Sequence, residues 1–202
     1  MLKIALTGNP FSGIDSISLK FKKLGIPIFN ADLILNFILN EKNDVINRVN
    51  NILGYSPYTN GIFDASKVKG DEDFDSILDI TELEIFESYS KFSKINLDKP
   101  YIIFSSHLIY ERRLNNKFDI VINCFSPKDN RALRGKNEKN ILFSDFLSQS
   151  KNEISEFHKN EQSHYVVHAY IGGPILDESI LKINEGIINK INEVNSYILN
   201  RS

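Results

Sequence analysis

The chain has 202 residues, of which 42% are hydrophobic and 25% charged, with a formal net charge of −2. That length suffices for one domain with a sizeable core, and the near balance of charge gives no electrostatic case for nucleic acid or an acidic membrane surface as partner. No apolar run approaches the ~20 residues needed to cross a bilayer, and one cysteine, Cys124, leaves no internal disulfide and fits a reducing cytoplasm.

Taken along the chain, "LKIALTG" (2–8) is a short apolar run ending in glycine, predicted as a buried strand and turn rather than a signal peptide. "IDSISLKFKKLG" (14–25) places Ile14, Ile17, Phe21 and Leu24 at helical spacing and stops at Gly25. "IPIFNAD" (26–32) predicts a second strand, after which Asp32 opens a helix through "LILNFIL". Residues 41–97 read as mostly helical, broken by the turn "GYSPYTNG", with a stripe at Ile77, Ile80, Leu83, Ile85, Phe86 and Tyr89. "PYIIFSS", "FDIVINCFSP" and "HYVVHAY" predict three more strands. Residues 135–162 are the least apolar stretch and suit a mobile segment or an exposed helical lid. The last helix carries Ile180, Ile183, Ile187, Ile191, Val194 and Ile198 on one side, with Asp177 as its expected N-cap. Short apolar strands alternating with helices predict a three-layer α/β fold around a parallel sheet of about five strands.

The stretch "LTGNPFSGIDSIS" (6–18) has the frame of a phosphate-binding loop. Gly8 and Gly13 are separated by four residues, after an apolar run and before a helix. Such a loop wraps backbone N–H groups around phosphates at a helix N-terminus, while a lysine reaches the outer phosphates and a hydroxyl binds Mg²⁺. Here Ile14 stands at the lysine position and Asp15 at the hydroxyl position, Pro10 removes a donor, and Phe11 adds bulk. A rescue would need Asp15 to hold Mg²⁺ and Lys20 or Lys22 to supply the cation. Lys20 lies six residues beyond Ile14, about 9 Å along a helix axis.

Several stretches together resemble the dephospho-CoA kinase family. "LKIALTGNPFSGIDSISLKFKKLGIPIFNADLI" follows that family's opening almost without gaps, and "NGIFDASKVKGDEDF" is similar to a later family segment through Gly61 and Asp64. "PYIIFSSHLIYERRLNNKFDIVINCFSPKDNRALR" resembles a strand–loop–strand stretch in which Glu111 and Arg131 match, while His107 replaces a proline. Gln149 resembles a lid glutamine. The resemblance spans residues 1–150 and implies ATP-dependent phosphorylation of the ribose 3′-hydroxyl of dephospho-CoA, with ATP and Mg²⁺ as cofactors. It implies a phosphate loop at Gly8, Asn9, Phe11, Ser12, Gly13, Ile14, Asp15 and Ser16, and Asp32 as candidate base. Glu111, Arg112, Arg131 and Gln149 would serve substrate binding. The competing role of Asp32 is a helix N-cap. The departures are the loop lysine, the hydroxyl, the inner glycines, a His-Pro pair replaced by "TELE" (81–84), and the absence of arginine from 135 to 170.

Other candidates point to structure. His164 and His168, four residues apart on a strand, are about 13 Å apart, too far for one zinc. Cys124 in "IVINCF" reads as a buried inert thiol. The expectation is one kinase-like domain over 1–202. Its core is about 1–32, 98–134 and 163–202, its helical acceptor-binding insert about 33–97, and its lid-like segment about 135–160. Function is expected to be that of a dephospho-CoA kinase homologue with lost or strongly reduced activity, binding a CoA-like or nucleotide ligand or an unidentified protein partner. The alternative is an active kinase with an altered loop.

Overall fold

A computed structural model describes residues 1–199, without the side chains at 149, 152, 198 and 199. Its strands are β1 (Leu2–Thr7), β2 (Ile28–Asn30), β3 (Tyr58–Thr59), β4 (Ile62–Phe63), β5 (Tyr101–Ser105), β6 (Ile120–Phe125) and β7 (Tyr165–His168). Its α-helices are α1 (Ile14–Lys23), α2 (Ala31–Glu41), α3 (Asn43–Leu53), α4 (Asp71–Lys94), α5 (Lys128–Lys139), α6 (Phe143–Gln149), α7 (Glu156–Gln162) and α8 (Gly173–Leu199). The chain divides into two compact units, Met1–Phe29 with Asn96–Ser202, and Asn30–Ile95.

The first unit is built on the five-stranded sheet, in the order β2-β5-β1-β6-β7. β1 pairs in parallel with β5 and β6, so that Ile4 lies opposite Ile103 on one side and Ile120 on the other. β7 runs parallel to β6, with Cys124 opposite Val167. All five residues of β5 are buried. That explains its unbroken apolar run, because a parallel strand covered on both faces has no solvent side to make polar. Residues facing one way (Ile4, Leu6, Tyr101, Ile103, Ile120, Ile122) form a core with Ile14, Ile17 and Phe21 of α1 and Leu176, Ile180, Ile183 and Ile187 of α8. Against the other face Phe104 stacks on Phe29 at 5.4 Å and meets Phe118 at 5.1 Å. There too Asn123 of β6 donates to Asn160 of α7 at 2.7 Å. The sheet therefore has the predicted helical layers.

Three details of the sequence reading need correction. Leu24 lies just past the end of α1 and is exposed. α8 starts at Gly173, so Asp177 lies in its second turn and does not cap it. Its carboxylate pairs with Lys20 of α1. The apolar stripe of α8 is buried through Ile187, whereas Val194 is exposed and the side chain of Ile198 lies outside those described.

In the second unit α2, α3 and α4 enclose Ile38, Leu39, Val45, Val49, Ile77 and Ile80. Leu83, expected on the buried stripe of α4, is exposed. The turn near 54–61 is a hairpin: β3 and β4 pair antiparallel, and Asn60 and Gly61 have φ of 51° and 81°. Two successive left-handed residues are what a type I′ turn needs, and the Asn-Gly pair supplies them. Asp64 then accepts from the Thr59 hydroxyl at 3.0 Å and from the Ser66 N–H at 3.1 Å.

Candidate functional site

The loop between β1 and α1 is shaped by close approach. A Cβ on Gly8 would lie 2.5 Å from the Cys124 carbonyl oxygen and 2.5 Å from Ser12 Oγ, so no other residue fits there. The Ser12 N–H donates to the Asn9 carbonyl at 3.0 Å and closes the turn. Phe11 has φ 63°, a left-handed conformation that costs a bulky residue of order 1 kcal/mol. Its ring is held from outside, 3.3 Å from where a Cβ on Gly135 would sit and 6.4 Å from the Phe146 ring.

The loop carbonyls meet two arginines of α5. Arg131 Nη1 donates to the Pro10 carbonyl at 3.0 Å, and Arg134 Nη1 donates to the Phe11 carbonyl at 2.6 Å. The two arginines are three residues apart and so share a helix face. Arg131 is buried and also makes a forked pair with Glu153, at 3.1 and 2.8 Å, while its Nε lies 3.5 Å from Glu156. Burial pushes the Glu156 carboxyl above its usual range, against the pull of Arg131 and Lys159. Asn9 Nδ2 donates to the Ile154 carbonyl at 3.2 Å. Residues 135–160, the segment read as mobile or lid-like, thus carry Phe146, Glu153 and Ile154 into contact with the loop or its arginines. One turn further along α7, the fully buried Lys159 pairs with Glu111 at 2.6 Å.

Facing outward, the loop and the first turn of α1 line a pocket of about 610 Å³ completed by His107, Arg134, Glu138 and Lys139. His107 Nδ1 lies 3.0 Å from the Gly8 carbonyl, which can only accept, so that nitrogen carries the proton. Ile14 is 3% exposed and packs in the core with Ile17. Asp15 is exposed in the first turn of α1. Lys20, the candidate replacement cation, is engaged by Asp177.

The structure brings Gly8, Asn9, Phe11, Ser12 and Gly13 together with Arg131, and sets Ile14, Asp15 and Ser16 at the start of α1. Glu111 is joined to α7 through Lys159, and Arg112 follows it, half-buried. The side chain of Gln149 lies outside those described. Asp32, in the other unit, is in the first turn of α2, but it is not the cap. Asn30 is, its side chain accepting from the Leu33 N–H at 3.0 Å. Arg134, Lys139 and Lys159 were missed by sequence reasoning. The "RALR" spacing could have marked Arg134, whereas nothing local marks Lys159. Cys124 is buried, and burial pushes its thiol well up, as its strand position predicts. Among the described residues no group of three or more His, Cys, Asp or Glu is placed to hold a metal ion, and His164 Nδ1 instead accepts from the Val121 N–H at 3.1 Å. Among them, too, no helix is long and apolar enough to cross a membrane.

No family model matches the chain. Curated relatives do. The dephospho-CoA kinase of Chlamydia felis is 28% identical over 181 residues, covering 85% of this chain and 86% of that protein. The dephospho-CoA kinase of Clostridium tetani is 24% identical over 177 residues, covering 82% and 77%. Among solved structures, TT1252 from Thermus thermophilus superposes with a TM-score of 0.77 at 18% identity, covering 92% of this chain and 96% of that one. Dephospho-CoA kinase from Campylobacter jejuni gives 0.54 at 13% identity, over 92% and 96%. Shikimate kinase from Acinetobacter baumannii gives 0.52, also at 13%, over 94% of each chain. The chain is a sequence relative of the dephospho-CoA kinases that carries the fold of the P-loop kinases.

Proposed function

We propose that this protein is a dephospho-CoA kinase homologue that keeps the phosphate-loop frame and a ligand pocket but has lost most or all phosphoryl transfer. The observation that carries this reading is Ile14, whose side chain is 3% exposed in the core where transfer requires an ammonium at the phosphates. Phosphoryl transfer depends on positioning and on offsetting charge, so a missing cation and a missing metal hydroxyl each cost several kcal/mol at the transition state. Every ~1.4 kcal/mol is tenfold in rate. Lys20 is held by Asp177 and does not replace the ammonium.

The loop backbone suits the phosphates of a nucleotide, because the first N–H groups of α1 have no acceptor within the helix. The residues do not fit Mg²⁺ in the family's manner: a carboxylate, Asp15, stands where the hydroxyl belongs and would place a negative charge beside the phosphates. Without a loop that activates the phosphoryl group for transfer, Asp32, the family's base, would have no reaction to serve.

The test is incubation of the purified protein with MgATP and dephospho-CoA, following 3′-phosphorylated product by mass spectrometry. The expected result is no product at enzyme-level rates. Turnover near the 1–100 s⁻¹ usual for kinases would overturn the reading and establish the alternative, an active kinase with an altered loop.

A further inference from the structure

We infer that residues 150–155, which join α6 to α7, are a proton-controlled strap on the β1–α1 loop: they hold the loop while Glu156 carries a proton and slacken when that carboxyl ionises. The device needs no ligand at the loop, and it stands whether or not the protein transfers phosphate.

The strap and the end of α6 grip the loop at three points. Asn9 Nδ2 donates to the Ile154 carbonyl at 3.2 Å. Arg131 donates to the Glu153 carboxylate through both Nη atoms, and its Nη1 also donates to the Pro10 carbonyl at 3.0 Å. Phe146 of α6 lies 6.4 Å from the Phe11 ring, with the Arg131 guanidinium over its own ring at 5.4 Å. One buried guanidinium thus ties strap and loop together. Beyond the strap, α7 is anchored independently of the loop: Asn160 accepts from Asn123 at 2.7 Å, and Lys159 pairs with Glu111.

Glu156, the first residue of α7, is the odd charge in this cluster. Two cations, Arg131 and Lys159, meet three carboxylates, Glu111, Glu153 and Glu156. Glu153 takes the guanidinium fork and Glu111 takes Lys159. Glu156 is left 3.5 Å from Arg131 Nε, and both its carboxyl oxygens are buried without a hydrogen-bond partner among the described residues. The groups that face it are Arg131 from α5, Lys159 from α7, Glu153 from the strap, and the Asn123 amide and Cys124 thiol from β6. Burial outweighs both cations and raises its carboxyl above the usual range. With a proton on Glu156 the cluster balances, two charges against two. Without it, a third carboxylate competes with Glu153 for the guanidinium that also holds Pro10. Release of the strap lets that carboxylate reach water, so ionisation favours the released state and protonation the held one. The strap is tight below the ordinary glutamate range and slackens as pH rises through the elevated value.

The test is hydrogen–deuterium exchange of the whole chain, read by mass spectrometry, corrected at each pH for the intrinsic exchange rate and referred to peptides of β5. Between about pH 5 and about pH 8, wild-type protection of 143–156 and of 9–13 is expected to fall together, at least ~threefold relative to β5. E156Q keeps a neutral side chain and is expected to retain the protection that wild type shows at the lower pH at both. E153Q cuts the fork and is expected to exchange faster than wild type at the lower pH. The proposal is overturned if wild-type protection does not change relative to β5, or if E156Q loses protection with pH as wild type does. It is also overturned if 143–156 loosens while 9–13 does not, since the strap would then not hold the loop.

Discussion

The ammonium of Lys159 lies 2.6 Å from a carboxylate oxygen of Glu111, and the lysine has no surface left to water. Glu111 keeps about a quarter of its side-chain surface. The two residues are unequal partners, because removing either leaves a different orphan.

E111Q strands a wholly buried ammonium and is expected to cost about 3 kcal/mol, whereas K159M strands a partly solvated carboxylate and should cost less, about 1–2 kcal/mol. The double variant E111Q/K159M is expected to recover most of the loss, as neither charge then remains. Urea unfolding of the four proteins measures the coupling. Additive losses would mean that the pair contributes nothing.

Glu156 sets a pH dependence whose sign follows from its burial. Its carboxyl is held above the usual range in the folded protein, so the folded state binds a proton more readily than the unfolded chain does. Its contribution is present below the ordinary glutamate range and is lost as pH rises through the elevated value. E156Q is therefore expected to melt higher than wild type at pH 7, with the gap closing toward pH 4.5. A constant gap across that range would show that burial of the charge is not what matters.

Phe11 and Gly135 are coupled by shape. A Cβ at 135 would sit 3.3 Å from the Phe11 ring, tighter than ordinary contact. G135V is expected to destabilise by about 1–3 kcal/mol through overpacking, beyond the small propensity change in α5. F11A makes room and should cancel much of that loss in the double variant. Thermal melts of the set decide it, and equal effects of G135V in either background would show no contact between them.

Cys124 is expected to resist a thiol reagent such as DTNB in the native protein and to react once per chain in denaturant, since its buried thiol forms no thiolate near neutrality. Rapid native labelling would mean that the end of β6 opens to solvent.

Much of the fold is legible from local pattern. β1, β5 and β6 are apolar runs closed by glycine, serine or proline, and the spacing of Ile14, Ile17 and Phe21 marks the buried face of α1. The failures are local as well. "NG" at 60–61, within a stretch that reads only as a turn, is the pair that builds a hairpin, and the cap of α2 is Asn30, two residues before the aspartate expected there. The candidate site was harder to read. Its frame, Gly8 and Gly13, is contiguous, but its charges are not.

The residues by themselves settle the strand–turn–helix frame and the missing loop lysine, because hydrogen bonding along a helix or strand and the steric freedom of glycine act between near neighbours. They could not say which cations reach the loop. Arg134 meets Phe11 across 123 residues of chain, Arg131 meets Pro10 across 121, and Lys159 pairs with a glutamate 48 positions earlier. Those meetings depend on how the parallel strands gather the connections that follow β1, β5 and β6 at the C-terminal ends of the strands, and no period in the sequence encodes that. Composition marks 135–160 as polar, but only packing shows that Lys139 is left at a pocket while Glu153 is drawn in to Arg131.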